Sequence, residues 1–207
     1  MKKTLIVFCL TLMLCSTCYA DFINPKPGDV YLWKSKTFLL FDIPFPVDLL
    51  GAIYGELPSF THADVCVSYD GDLRTSIQGK GVSSSTVESR MNSFIGGIQL
   101  RKETLLEDTV DKVCNMAHEL SGDYDYGGYN GQGLDFLIRV PYTPRGYLFT
   151  SMLQDPDLYY CSEFVVECFL GAGEMGEVRI HPAPNDIYYI VGSEWKVVGT
   201  YGTSEEE

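Results

Sequence analysis

Between Thr61 and Tyr69 the chain reads THADVCVSY, and its polarity alternates. Val65, Val67 and Tyr69 fall on one side, Asp64, Cys66 and Ser68 on the other. A period of two predicts a strand with one buried face. The turn DGD (70–72) follows, and LRTSIQ (73–78) reads as the return strand of a hairpin. KPGDVYLW (26–33) is a turn followed by a strand, and GIQLRK (97–102) is a further strand.

Two stretches carry the helical period. In TLLEDTVDKVCNMAHEL (104–120), Leu106, Val110, Val113, Ala117 and Leu120 form one stripe. Thr104 and Glu107 have capping-box spacing there, and Ser121-Gly122 closes the segment. In YYCSEFVVECF (159–169), Cys161, Phe164, Val165, Cys168 and Phe169 recur at intervals of three and four, which puts them on one inward face. That helix ends at Gly171. FPVDLLGAIYGE (45–56) predicts a short helix, the segment around residues 124–128 a Gly/Tyr-rich loop, and DIYYIVG (186–192) and EWKVVGT (194–200) two closing strands. Helices mixed with hairpin strands in this order predict an α+β fold around an antiparallel sheet.

The first twenty residues do not belong to this pattern. Lys2 and Lys3 precede an apolar run, Leu5–Leu14, which is too short to span a bilayer. Small residues follow up to Ala20. This is the pattern of a secretory signal peptide, so residues 1–20 are expected to be removed and 21–207 to form one domain. An exported protein, periplasmic or secreted and monomeric, is the expectation.

Charge narrows the partners. Residues 21–207 hold thirteen Lys+Arg against twenty-eight Asp+Glu, a net charge of −15. So acidic a surface argues against nucleic acid and against anionic lipid as general electrostatic partners. A membrane span is not expected.

Four cysteines remain after residue 20: Cys66, Cys114, Cys161 and Cys168. Cys161 and Cys168 are separated by about 10 Å of helical rise, beyond disulfide reach. Cys161 opens its helix, where unpaired backbone N–H groups favour a thiolate. Cys168 lies deeper on the stripe and reads as core. A thiol nucleophile needs a base. His181 falls in a loop, His118 lies beside the stripe of the first long helix, and His62 opens a strand, a rigid platform for a catalytic side chain.

These segments together resemble a known family. GDVYLW, SFTHADVCVSYDGD, GKGV, YYCSEFVVECF and HPAPNDI occur in the order found in the YiiX/YebB-like proteins. These are circularly permuted papain-fold proteins related to NlpC-type cell-wall peptidases. The resemblance spans most of the chain after residue 20. It implies a permuted papain-like fold, with Cys161 as nucleophile and His62 as its base. YDYGG (124–128) is similar to a tyrosine loop of the non-permuted peptidases. That likeness makes Tyr124 a candidate to bind substrate or hold the oxyanion beside the Cys161 N–H. The family usually has glycine where this chain has Asp64. Its third catalytic group lies on the return strand, where this chain offers Ser76 and Gln78. The resemblance implies no cofactor and no metal.

The expected activity is that of a secreted thiol hydrolase acting on a peptide or other acyl substrate. Exported proteins meet cell-wall peptides, which favours an amide of peptidoglycan type. The same permuted fold resembles the lipid acyltransferases, and TFLLFDIPF (37–45) is apolar enough to form a lipid-accepting wall. Three other readings compete: Cys114 with His181 in the unpermuted order, a metal site from His62, Asp64 and Cys66 on one strand face, and a binding module that has lost activity.

Overall fold

The computed structural model describes residues 22, 24–35, 60–137, 148–153, 155–174, 184, 187 and 194–202. The segment 1–20 expected to be a signal peptide, the helix expected at 45–56, the apolar segment 37–45, His181 and most of the strand expected at 186–192 lie outside them.

Six strands form one antiparallel sheet: β1 (Val30–Ser35), β2 (His62–Cys66), β3 (Asp72–Ile77), β4 (Gly81–Thr86), β5 (Phe94–Lys102) and β6 (Trp195–Gly202). Their spatial order is β4-β3-β2-β1-β5-β6. The expected α+β class with an antiparallel sheet is therefore what the chain adopts. β1 sits centrally, with Val30 opposite both Val65 and Leu100. Among the described residues five helices accompany the sheet: α1 (Val87–Ser93), α2 (Glu107–Glu119), α3 (Tyr126–Leu137), α4 (Leu148–Leu153) and α5 (Cys161–Gly171). Among the described residues no helix is long and apolar enough to cross a membrane.

Strand alternation divides the core between the two faces of the sheet. Val30 and Leu32 of β1 and Ala63 and Val65 of β2 face α2 and α5, where they meet Val113, Ala117, Phe164, Val165, Cys168 and Phe169. Each fully buried phenylalanine there contributes about 1.5–3 kcal/mol. On the other face Tyr31, Trp33, Cys66 and Leu73 pack with Val87 and Met91 of α1 and with Phe22, Phe94 and Tyr201. The two faces are locked at one end by Asp29, which accepts from Gln99 Nε2 at 2.7 Å and from Arg101 Nε and Nη2 at 2.7 Å each.

Several elements differ from the sequence pattern. α2 starts at Glu107 behind a turn at Glu103-Thr104, so the capping box from Thr104 does not form: the N-cap is Leu106, which makes no side-chain cap bond. Leu106 is 67 % exposed, and the buried stripe is Thr109, Val113 and Ala117. The glycine-valine turn at 79–82 continues into β4, GVSSST, whose serines carry no hydrophobic signal. The glycine-rich stretch after Tyr124 is not all loop but opens α3. Asp125 initiates that helix by accepting from Gly128 N–H at 2.9 Å.

The β3–β4 turn is fixed against the segment that leads to this helix. Gly81 has φ +66°, and a Cβ there would run into the Gly122 carbonyl. That carbonyl accepts from Val82 N–H at 3.0 Å. The hairpin and the tyrosine segment are thus one unit, docked beside the start of α5.

Candidate active site

α5 begins abruptly at Cys161. Its N-cap, Tyr160, is extended and makes no side-chain cap hydrogen bond. Ser162, Glu163, Phe164, Val165 and Val166 are buried behind Cys161, which is itself 7 % exposed. The sulfur therefore sits at the inner end of a helix N-terminus, with only a small part reaching the surface.

β2 and β3 separate where this helix arrives. Their ladder pairs Val65 with Arg74 and Cys66 with Leu73 and extends no further toward His62. At Ala63 both backbone groups on the β3 side find substitutes. The carbonyl accepts from Thr75 Oγ1 at 2.6 Å. The N–H donates to the Cys161 sulfur. A strand N–H that would ordinarily hold a ladder thus becomes a donor to the thiolate.

His62, the first residue of β2, hydrogen-bonds Cys161. Its Nε2 lies 3.3 Å from Asp64 Oδ1, which leaves Nδ1 for the sulfur. Its ring stacks on Phe94 at 5.5 Å with 9° between planes. Asp64 follows two residues later on the same strand face. It is fully buried, and its Oδ1 also accepts from Arg90 Nη2 at 2.8 Å.

The electrostatics follow from these contacts. Burial opposes an ionised Cys161, but the His62 imidazole and the Ala63 N–H prevail and hold the thiol below its ordinary range. Burial likewise opposes a charged His62, and the Asp64 and Cys161 charges overcome it, raising the imidazole to about 9. Asp64 stays ionised despite its burial because His62 and Arg90 both face it. Both shifts run toward a thiolate–imidazolium pair, with a carboxylate behind the imidazole. The other thiols are free and protonated: Cys66 is pushed up to about 12 by burial, and burial also raises Cys114 and Cys168.

Tyr124 is 7 % exposed and close enough to Cys161 for the sulfur's charge to act on its phenol. Burial first, and that charge second, keep the hydroxyl protonated. It is held by a bridge to Tyr159, two residues before Cys161, and Asp125 N–H donates to Tyr159 O at 3.1 Å. Tyr126 and Tyr129 pack edge-on around its ring, at 5.1 and 5.9 Å.

The structure thus brings Cys161, His62 and Tyr124 together. It does not bring Ser76 or Gln78 to the imidazole. Ser76 is buried, its Oγ makes no hydrogen bond, and by alternation with Arg74, which donates to Ala117 O of α2, it faces the helices. His62 and Asp64 project from the opposite side, with Phe94. Gln78 lies past the end of β3, in the turn before β4. The group behind His62 is Asp64, at the position where the family pattern has glycine. The period-two alternation of THADVC already put the two on one face. Arg90 gave no comparable signal, being one charge in the polar stretch VESRMNS.

The competing residues are also accounted for. Cys114 is interior to α2, and His181 lies outside the described residues. His118 is exposed near the end of α2. Among the described residues no cluster of three or more His, Cys, Asp or Glu is arranged to hold a metal ion. His62 and Asp64 bind each other, and the Cys66 thiol donates to Ser68 O at 3.1 Å. No family model and no curated protein matches the chain.

Proposed function

We propose that the protein is an exported thiol hydrolase with a permuted papain-like fold that cleaves an amide bond, in peptides of the peptidoglycan type. The observation that carries this reading is the buried Cys161–His62–Asp64 array at the start of α5. A core cysteine has no use for an imidazole, a backbone donor and a buried carboxylate; a nucleophile uses all three.

The Cys161 thiolate adds to the scissile carbonyl carbon, and the oxygen takes the negative charge. The N–H of Cys161 and the Tyr124 hydroxyl are the donors proposed for that oxyanion. The His62 imidazolium gives its proton to the leaving nitrogen, the C–N bond breaks, and a thioester and an amine remain. Neutral His62 then takes a proton from water, whose oxygen attacks the thioester. The acid leaves, and the thiolate–imidazolium pair is restored. Asp64 keeps the ring oriented and supports its charge in both halves.

The test is incubation of residues 21–207 with muropeptides and, in parallel, with phospholipid vesicles, followed by mass spectrometry. Cys161→Ala is the control. Amide cleavage that depends on Cys161 supports the reading. Cys161-dependent release of fatty acid from intact lipid, with muropeptides untouched, moves the activity to acyl transfer. No change in either substrate supports a binding module instead.

A further inference from the structure

Asp64 is buried completely, yet it sits beside a site that works through a second anion, the Cys161 thiolate. Two buried anions and one imidazolium would be an unbalanced set. Arg90 supplies the missing charge. It reaches across from α1, with 11 % of its side chain exposed, and donates to the same Asp64 oxygen that faces His62. Its approach is fixed by the helix. Thr86 caps α1 by accepting from Ser89 N–H at 3.2 Å. Val87 and Met91 anchor α1 in the aromatic core, and Arg90 shares their face at the i+3 position. The guanidinium carbon lies 6.0 Å from the centroid of the Phe94 ring, the ring that also stacks on His62.

We propose that Arg90 is a positioning residue of this site: it is the fixed counter-ion of Asp64, so the carboxylate can accept from His62 without adding net negative charge beside the Cys161 sulfur. The proposal rests on the thiol-hydrolase reading and adds a role for a residue that touches neither substrate nor sulfur. It assigns Arg90 a definite moment in the cycle. When His62 hands its proton to the leaving group, Asp64 loses one cation, and Arg90 remains as the other. The carboxylate is then never a lone buried charge, and His62 is free to release its proton. Among the described residues, the titratable and charged groups around Asp64 are His62 and Cys66 on its own strand, Arg90 from α1, Cys161 from α5, and Tyr31, its register partner on β1. Burial raises the Cys66 thiol to about 12. Burial keeps the Tyr31 phenol protonated, so it adds no charge.

The sign of the effect separates this role from a merely structural one. Without Arg90 the site carries an extra negative charge, which disfavours the thiolate and favours the imidazolium. Both should then titrate at higher pH. The experiment compares the wild-type protein with Arg90→Met and Arg90→Lys. It measures the rate of Cys161 alkylation by iodoacetamide across pH, the titration of the His62 ring by NMR, and thermal melting. In Arg90→Met the acid limb of alkylation and the His62 titration should both move to higher pH, with alkylation on that limb slowed about tenfold. Arg90→Lys, which keeps the charge, should stay near wild type. Asp64→Asn/Arg90→Met removes both charges and should return the limb toward its wild-type position; it also carries the test if Arg90→Met fails to fold. A limb that does not move in Arg90→Met, or a His62 titration that falls instead of rising, overturns the proposal. The NMR titration needs no substrate and no reactive thiol. Failure of the hydrolase reading would therefore appear separately, as an absence of amide cleavage.

Discussion

Replacing Cys161 with alanine turns the proposed ion pair into a stability measurement. In the folded protein the Cys161 thiol sits below its ordinary 9.0, burial opposing the charge and His62 overcoming it. The His62 imidazole sits at about 9 against an ordinary 6.5, again against burial, through Asp64 and Cys161. The two have opposite signs. The Cys161 contribution to stability is complete above its unfolded value and is lost as pH falls through its folded one. The His62 contribution is complete below 6.5 and is lost as pH rises through about 9. Between those limits their pH dependences cancel, since the folded state keeps one proton on the imidazole and the unfolded chain keeps one on the thiol.

Alanine removes the thiol from both states and uncovers the difference. Wherever the folded sulfur is ionised and the unfolded thiol is not, wild type gains on Cys161→Ala by up to about 1.4 kcal/mol per pH unit. Over two units the gap should approach roughly 3 kcal/mol, or about 6–12 °C in melting temperature for a domain of this size. Urea unfolding of both proteins at a series of values from about pH 5 to about pH 8 reads it directly. Ionisable groups that do not sense Cys161 drop out of the difference; His62 does not, since the Cys161 charge helps to raise it, so its titration is followed by NMR in both variants. If the two stability curves ran parallel while His62 titrated at the same pH in both, Cys161 would keep its proton in the folded state and the proposed nucleophile would not exist.

Three further outcomes follow from the same contacts. Iodoacetamide near neutral pH should modify Cys161 before Cys66, Cys114 or Cys168, which burial keeps as thiols; peptide mapping that found Cys161 the slowest would contradict the site. Asp64→Asn should lower turnover and, by stranding Arg90, cost about 3–5 kcal/mol in urea unfolding, whereas Ser76→Ala should leave the kinetics near wild type. Equal losses from the two would restore the return strand as the source of the third group. Gly81→Ala should destabilise by more than about 1 kcal/mol, through its left-handed backbone and the Gly122 carbonyl, and should raise KM by loosening the segment that holds Tyr124; an unchanged melting temperature would contradict it.

Which features were legible in the sequence depends on how local their causes are. β2, β3 and α5 were readable from the local spacing of their apolar residues, although burial runs further than that spacing shows: β2 is buried on both faces, with Ala63 and Val65 toward the helices and Asp64 and Cys66 on the other side, and α5 is buried almost all round. β4 was not, because GVSSST lies at the sheet edge and is specified by its partner β3 and by the Gly81 approach to Gly122. α3 was hidden for a similar reason: its start depends on the Asp125 carboxylate bonding Gly128 N–H, while its glycines argue against a helix.

The site divides along the same line. Cys161 and His62 carry signals within their own segments, a helix start and a strand start. Asp64 was equally visible by alternation, but the family pattern drew attention to the return strand and made Asp64 look like a departure. On the proposed reading, the carboxylate behind His62 stands on the histidine's own strand and not on the return strand. A buried carboxylate there needs a cation on the same side of the sheet, and the chain meets that need with α1, inserted between β4 and β5 to bring Arg90 over Phe94. Ser76 could not have served from its position, since it points toward the helices. On the proposed reading a buried Asp64 is therefore coherent only with Arg90 present, so the two should be tested as a unit.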